Sequence, residues 1–135
     1  MSEPTGEEPG QDVLDLAHRI FDLARSGATE ELAGYVDAGV PVNLTNDKGD
    51  SLLILAAYHD HPATVAALLA RGAEADRAND RGQTALAAAV FRQNPRTVGT
   101  LLEAGADPDA GGPSALDTAR FFDLPAMLTL LEAGR

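Results

Sequence analysis

At 135 residues and 14.0 kDa the chain has the size of one ordinary domain, long enough to bury a core without covalent staples. It contains no Cys, so a disulfide framework, a thiol nucleophile and thiolate metal sites are excluded. With 21 Asp and Glu against 10 Lys and Arg its formal charge is −11, which argues against nucleic acid and against an anionic membrane surface as partners. The composition holds 25 Ala and only 4% aromatics, and Ala is the strongest helix former.

The first residues, Met1-Ser2-Glu3-Pro4 and on to Glu7-Glu8, carry neither the positive start of a secretory signal nor the Arg of a mitochondrial one. The longest apolar runs, Leu52 to Tyr58 and Ala85 to Phe91, are seven residues each, far short of a membrane span. The expectation is a soluble, cytoplasmic protein that is monomeric when free. Residues 1–11 are too acidic and too rich in Pro and Gly to order themselves, and are expected to form a disordered tail. Such a tail either keeps the chain in solution or reaches a partner. Residues 1–50 hold 11 acids and 3 bases, whereas residues 51–135 hold 10 and 7, so the charge is weighted toward the start.

From residue 12 onward a repeat sets the organisation. Residues 46–78 laid over 79–111 give 13 identities in 33 positions without a gap, among them Asn46/Asn79, Pro62/Pro95, Thr64/Thr97, Leu68/Leu101 and Gly72/Gly105. The register reaches back to Gly39 and Asn43 and forward, with shortened intervals, to Ser114-Ala115-Leu116 and Leu130-Leu131. A fixed period of this length signals a stacked array whose units cover one another's apolar faces. Units are expected at about 12–45, 46–78, 79–111 and 112–135, forming a single domain over 12–135.

In the first, degenerate unit Phe21 and Tyr35 fall on apolar pattern positions and read as core, while His18 lies among acids and reads as surface. In the later units Ser51, Thr84 and Ser114 stand where a hydroxyl can cap a helix. A short apolar stretch of about two turns follows each. Pro62, Pro95 and Pro125 then open a second, antiparallel helix, since Pro is tolerated at the first helical position and not further in. Val65, Leu68 and Leu69, and then Val98, Leu101 and Leu102, give that helix an apolar face at spacings of three and four. Gly39, Gly72 and Gly105 lie just past its end, where a left-handed backbone closes a helix. The Asp-, Asn- and Gly-rich segments 76–82 and 109–113 suit protruding turns.

These residues resemble the ankyrin repeat, a β-turn plus two helices in 33 residues. The closes Gly72-Ala73-Glu74-Ala75-Asp76 and Gly105-Ala106-Asp107-Pro108-Asp109 are similar to that family's own, and the likeness runs from about Asp12 to Arg135. The family's T-P-L-H signature has eroded: Leu52, Ala85 and Ala115 stand at its Pro, and Ile54, Ala87 and Asp117 at its His. The resemblance implies an all-α solenoid of about four helix-turn-helix units with short β-turn or hairpin connections. It resembles the small bacterial type of such arrays.

The resemblance also implies protein binding through the turn tips and the concave face made by the first helices. On that face Tyr58 and His59, Phe91 and Arg92, and Phe121 and Phe122 occupy matching positions in three consecutive units. Four of the six aromatics therefore form one row, and aromatics and Arg dominate binding energy at interfaces. Covering the core of the shortened last unit is the competing reading for Phe121 and Phe122. The tips offer Asp47, Lys48 and Asp50 in one unit and Asp80, Arg81 and Gln83 in the next. With the acidic first unit they point to a basic or mixed-charge partner protein.

No catalytic set is expected. Ser51 with His59, Asp60 or His61 could be assembled on paper as a hydrolase, but Ser51 is better explained as a cap. His59-x-His61 lacks a third metal ligand, and no cofactor motif is present, since Gly111-Gly112-Pro113 lacks the Gly-Lys-Ser/Thr of a phosphate loop. Two roles remain for a binding array: an adaptor or regulator that captures one protein, or an immunity protein that blocks a basic toxin.

Overall fold

A computed structural model describes residues 10–133 of the chain. The expected tail falls almost wholly on residues 1–9, outside the described residues. Eight helices form four antiparallel pairs: α1 (Gln11–Ser26) with α2 (Thr29–Asp37), α3 (Leu52–Tyr58) with α4 (Pro62–Ala70), α5 (Ala85–Phe91) with α6 (Pro95–Glu103), and α7 (Ala115–Phe121) with α8 (Pro125–Ala133). The odd helices pack in one layer, α1 on α3 on α5 on α7, and the even helices in another, α2 on α4 on α6 on α8. Bridge pairing is confined, among the described residues, to Thr45–Ser51 and Gly111–Ser114, each closing a single turn. The all-α repeat solenoid expected from the spacing is the observed architecture.

Each element starts and stops for the reasons its sequence supplies. Ser51 Oγ accepts from Ile54 N–H at 3.1 Å and Thr84 Oγ1 from Ala87 N–H at 3.1 Å. Ser114 Oγ accepts from Asp117 N–H at 3.0 Å while Asp117 returns a carboxylate to the Ser114 N–H, so the acid in place of the eroded His closes a capping box. Pro62, Pro95 and Pro125 are the first residues of α4, α6 and α8. Gly39, Gly72 and Gly105 follow the even helices with φ of 121°, 93° and 92°. There any side chain would be strained.

The core runs between the layers. In α3 and α5 six consecutive residues are buried, Leu52–Ala57 and Ala85–Val90, because each of these helices is enclosed by two neighbours and a partner. The Ala residues let those helices approach closely. Val65, Leu68, Val98 and Leu101 are buried as expected, whereas Leu69 and Leu102 are half-buried. The face is completed instead by Thr64 and Thr97, both fully buried and both hydrogen-bonded: Thr64 Oγ1 lies 2.6 Å from Thr29 Oγ1, and Thr97 Oγ1 accepts from Asn94 Nδ2 at 2.8 Å. Phe21 is buried, but Tyr35 is only partly so, because α2 is an end helix covered on one side by α4.

The first pair departs from the repeat. The counterpart of Leu52, 33 residues earlier, is Arg19, yet α1 begins at Gln11, eight residues before it. The extra length, about 12 Å at the helical rise, replaces the turn that precedes each other odd helix. It leaves Val13, Leu14 and Leu16 exposed. Toward the other side of the array, Arg71 grips Asp37 with two nitrogens at 2.9 and 3.2 Å, tying the end of α4 to α2. That contact holds the Asp37 carboxyl below its ordinary range.

Candidate functional site

Two turns with the same wiring make one wall of a groove. Asn46 Oδ1 accepts from the N–H groups of Lys48 and Asp50, and Asn79 Oδ1 accepts from those of Arg81 and Gln83, all at 2.9–3.0 Å. One short side chain thus satisfies two backbone donors and fixes the tip. The turns are then laced together: Asp80 N–H donates to Lys48 O at 3.1 Å, Gly112 N–H to Gly82 O at 2.9 Å, and Asn79 Nδ2 to Asp50 Oδ1 at 2.8 Å. Further along, Asn43 and Asp76 accept from the backbone N–H of Glu74 and Asp107, at 2.9 and 2.8 Å, a second lacing that follows the repeat. These side-chain ties join neighbouring turns.

The opposite wall is the odd-helix layer. Between the walls lies a cavity of about 670 Å³, with Ile54, Leu55 and Ala87 on its apolar side and Tyr58, His59 and Phe91 at the helix ends. Arg25, Lys48, Arg81, Asp47, Asp50 and Gln83 supply its polar lining. A second, contiguous depression shares Arg25, Asn46 and Asp47 and runs along Leu14, Ala17, His18 and Phe21 of α1.

Eight of the twelve residues singled out in the sequence therefore line one groove: Asp47, Lys48, Asp50, Tyr58, His59, Arg81, Gln83 and Phe91. The other four lie beside it. Asp80 is an exposed tip residue. Arg92 places its guanidinium carbon 5.2 Å from the centre of the Tyr58 ring, a cation–π contact that links two units. Phe122 stands edge-on to Phe91 at 5.4 Å and to Phe121 at 4.9 Å. Phe91, Phe121 and Phe122 are 43%, 81% and 50% exposed, so the last two do not cover the core. Tyr58 is half-buried and meets His59 edge-on at 5.2 Å.

Two tip residues have internal work: Asp50 and Gln83 both accept from Asn79 Nδ2, at 2.8 and 3.4 Å. Ser51 is buried and engaged as a cap. His61 is not a partner for His59 in ligation, because its Nε2 donates to the Arg25 carbonyl at 2.7 Å and its ring packs on Gly27. His59 is held below its ordinary range, chiefly by burial and then by the neighbouring His61, Arg25 and Arg92. Among the described residues no group of three or more His, Asp or Glu is placed to hold a metal ion. None of the described helices is long and apolar enough to cross a membrane.

Arg25, Asn46, Ile54, Leu55 and Pro113 belong to the groove but were not legible as site residues. Ile54 and Leu55 sit in an unbroken apolar run, where composition does not tell a groove wall from a core. Arg25 is in register with Tyr58, 33 residues earlier, and that spacing is the signal that finds it.

Comparison with known proteins bears on the repeat. A family model for ankyrin repeats in three copies matches residues 20–111. A Pseudomonas aeruginosa protein, PA3287, named for ankyrin repeats, is 43% identical over 65 residues, 48% of this chain and 38% of the relative. The chain thus spans well under half the length of that relative. Ankyrin repeats are in general interaction domains without enzymatic activity, and they bind other proteins. With a family model covering residues 20–111 and helix pairs repeating along the chain, this protein belongs to the ankyrin repeat family.

Proposed function

We propose that the protein is an adaptor or regulator that captures one partner protein in the groove between its turn tips and its odd helices. The observation that carries this reading is the row of ring contacts along three consecutive units, Tyr58 under Arg92 and Phe91 against Phe122, exposed beside a lined cavity. Exposed aromatics cost solvation unless something covers them, and Arg and aromatics are the residues that anchor interfaces. Asp47, Lys48, Asp80 and Arg81 form the rim, where charge guides encounter more than it holds the complex. The partner is mixed in charge, with a basic region facing the acids of residues 1–50. That asymmetry, 11 acids against 3 bases, also favours a second reading, an immunity protein that blocks a basic toxin. Residues 12–135 act as one array, in the cytoplasm and as a monomer until the partner binds.

Capture from an extract of the native host tests the proposal. Wild type is expected to retain a partner that Tyr58→Ala with Phe91→Ala loses, with helical circular dichroism and melting nearly unchanged. Retention by the double variant would remove the groove from the account. A basic nuclease-like protein as the main catch favours the immunity reading, and an enzyme or regulator favours the adaptor.

A further inference from the structure

The groove differs in charge from the molecule that carries it. Among the described residues acids outnumber Lys and Arg by 18 to 9, yet four of those nine are paired, Arg19 with Glu31, Arg25 with Asp22, Arg71 with Asp37 and Arg77 with Glu74. Five cations are left without a carboxylate at salt-bridge distance, and three of them, Lys48, Arg81 and Arg92, stand at this groove. Lys48 and Arg81 line the cavity from the tips, and Arg92 lies across it on Tyr58. Of the acids at the groove, Asp50 already accepts a hydrogen bond from Asn79, while Asp47 and Asp80 are exposed tip residues, the Asp80 carboxylate lying against Gly49. Three of the five unpaired cations thus share one place. Beside them the Phe91, Phe122 and Phe121 rings form an exposed apolar step.

We infer that the groove takes an acidic segment of the partner, its carboxylates on Lys48, Arg81 and Arg92 and an adjoining apolar side chain on Phe91 and Phe122. Arg is suited to this because its planar fork binds a carboxylate through two hydrogen bonds while its face stays on a ring. The inference rests on the groove being the binding face and refines what that face recognises. His59 lies in the same surroundings: besides burial, Arg25 and Arg92 are among the neighbours that lower its pKa, and no carboxylate opposes them. The partner then presents acid to the groove and base to the first helix pair, and this fixes its orientation along the array.

A library of random peptides displayed on phage and selected on the full chain tests this. Selected peptides are expected to carry Asp or Glu next to Leu, Phe or Trp, and to shift the amide signals of 48, 58, 81 and 91 in NMR spectra. Titrated as synthetic peptides, they should bind about tenfold more weakly to Arg81→Glu and to Arg92→Glu, both exposed positions that leave folding intact. Affinity should fall as salt rises. Basic or uncharged peptides seated in the groove would overturn the inference while leaving the groove as the binding face. Peptides seated elsewhere, an empty selection, or self-association that covers the groove would overturn both.

Discussion

Three of the four junctions between odd and even helices turn on one non-glycine residue each, Asp60, Gln93 and Asp123, with φ of 66°, 57° and 54°. Left-handed backbone costs an L residue about 1–2 kcal/mol, and Asp tolerates it better than Gln because its short side chain bonds locally. Gln93 is therefore the costliest of the three. Gln93→Gly is expected to stabilise the protein by about 0.5–1 kcal/mol, the relief of strain being partly offset by the freer unfolded chain. A thermal melt reads this as a rise of a few degrees, and an unchanged or lower midpoint would show that the position is not strained. The caps were legible residue by residue, since Ser51, Thr84 and Ser114 each precede an apolar run at a fixed offset. The handedness at Gln93 was not, because Gln is no signal for it and Pro95 marks only where the next helix starts.

At the level of elements, the joint between the first two helix pairs rests on a close fit. His61 Nε2 donates to the Arg25 carbonyl, and the His61 ring occupies the space where a side chain on Gly27 would stand, 2.5 Å from Nδ1 to the nearest point. Gly27 itself has φ of 75° and ends α1. Gly27→Ala is thus penalised twice, by backbone and by collision, and is expected to lower stability by about 2–3 kcal/mol. Adding His61→Ala removes the collision but not the backbone strain. The double variant should then be less destabilised than the sum of the two single ones, a coupling that a double-mutant cycle in urea measures. Strict additivity would mean that the ring does not bear on Gly27. The repeat predicted where pairs begin and end but not this joint, since His61 stands where the next unit has Asn94, and a single sequence does not say that one position serves two purposes. Nor did it reveal the length of α1. Residues 11–18 stand in register with the turn 44–51 of the next unit, so the repeat gave no sign of a helix there.

For the molecule as a whole, the 33-residue register carried the architecture, because stacked units repeat the same local decisions and each is checked by its neighbour. It carried much of the groove as well: Tyr58 with His59, Phe91 with Arg92 and Phe121 with Phe122, at matching positions, become a physical row once the units stack. The sign of the field in the groove was hidden. The sum of −11 gives no place to the cations, and only the fold shows that Lys48, Arg81 and Arg92 gather on one side. The even-helix layer offers the natural contrast, with α4 and α6 presenting a surface that takes no part in the groove. The most direct test of the account is NMR shift mapping of the labelled protein with its captured partner. Perturbed amides are expected along 46–50, 54–59, 80–83, 87–92 and 121–122, with α4 and α6 unaffected. Perturbations concentrated on α4 and α6, with the groove unchanged, would contradict it.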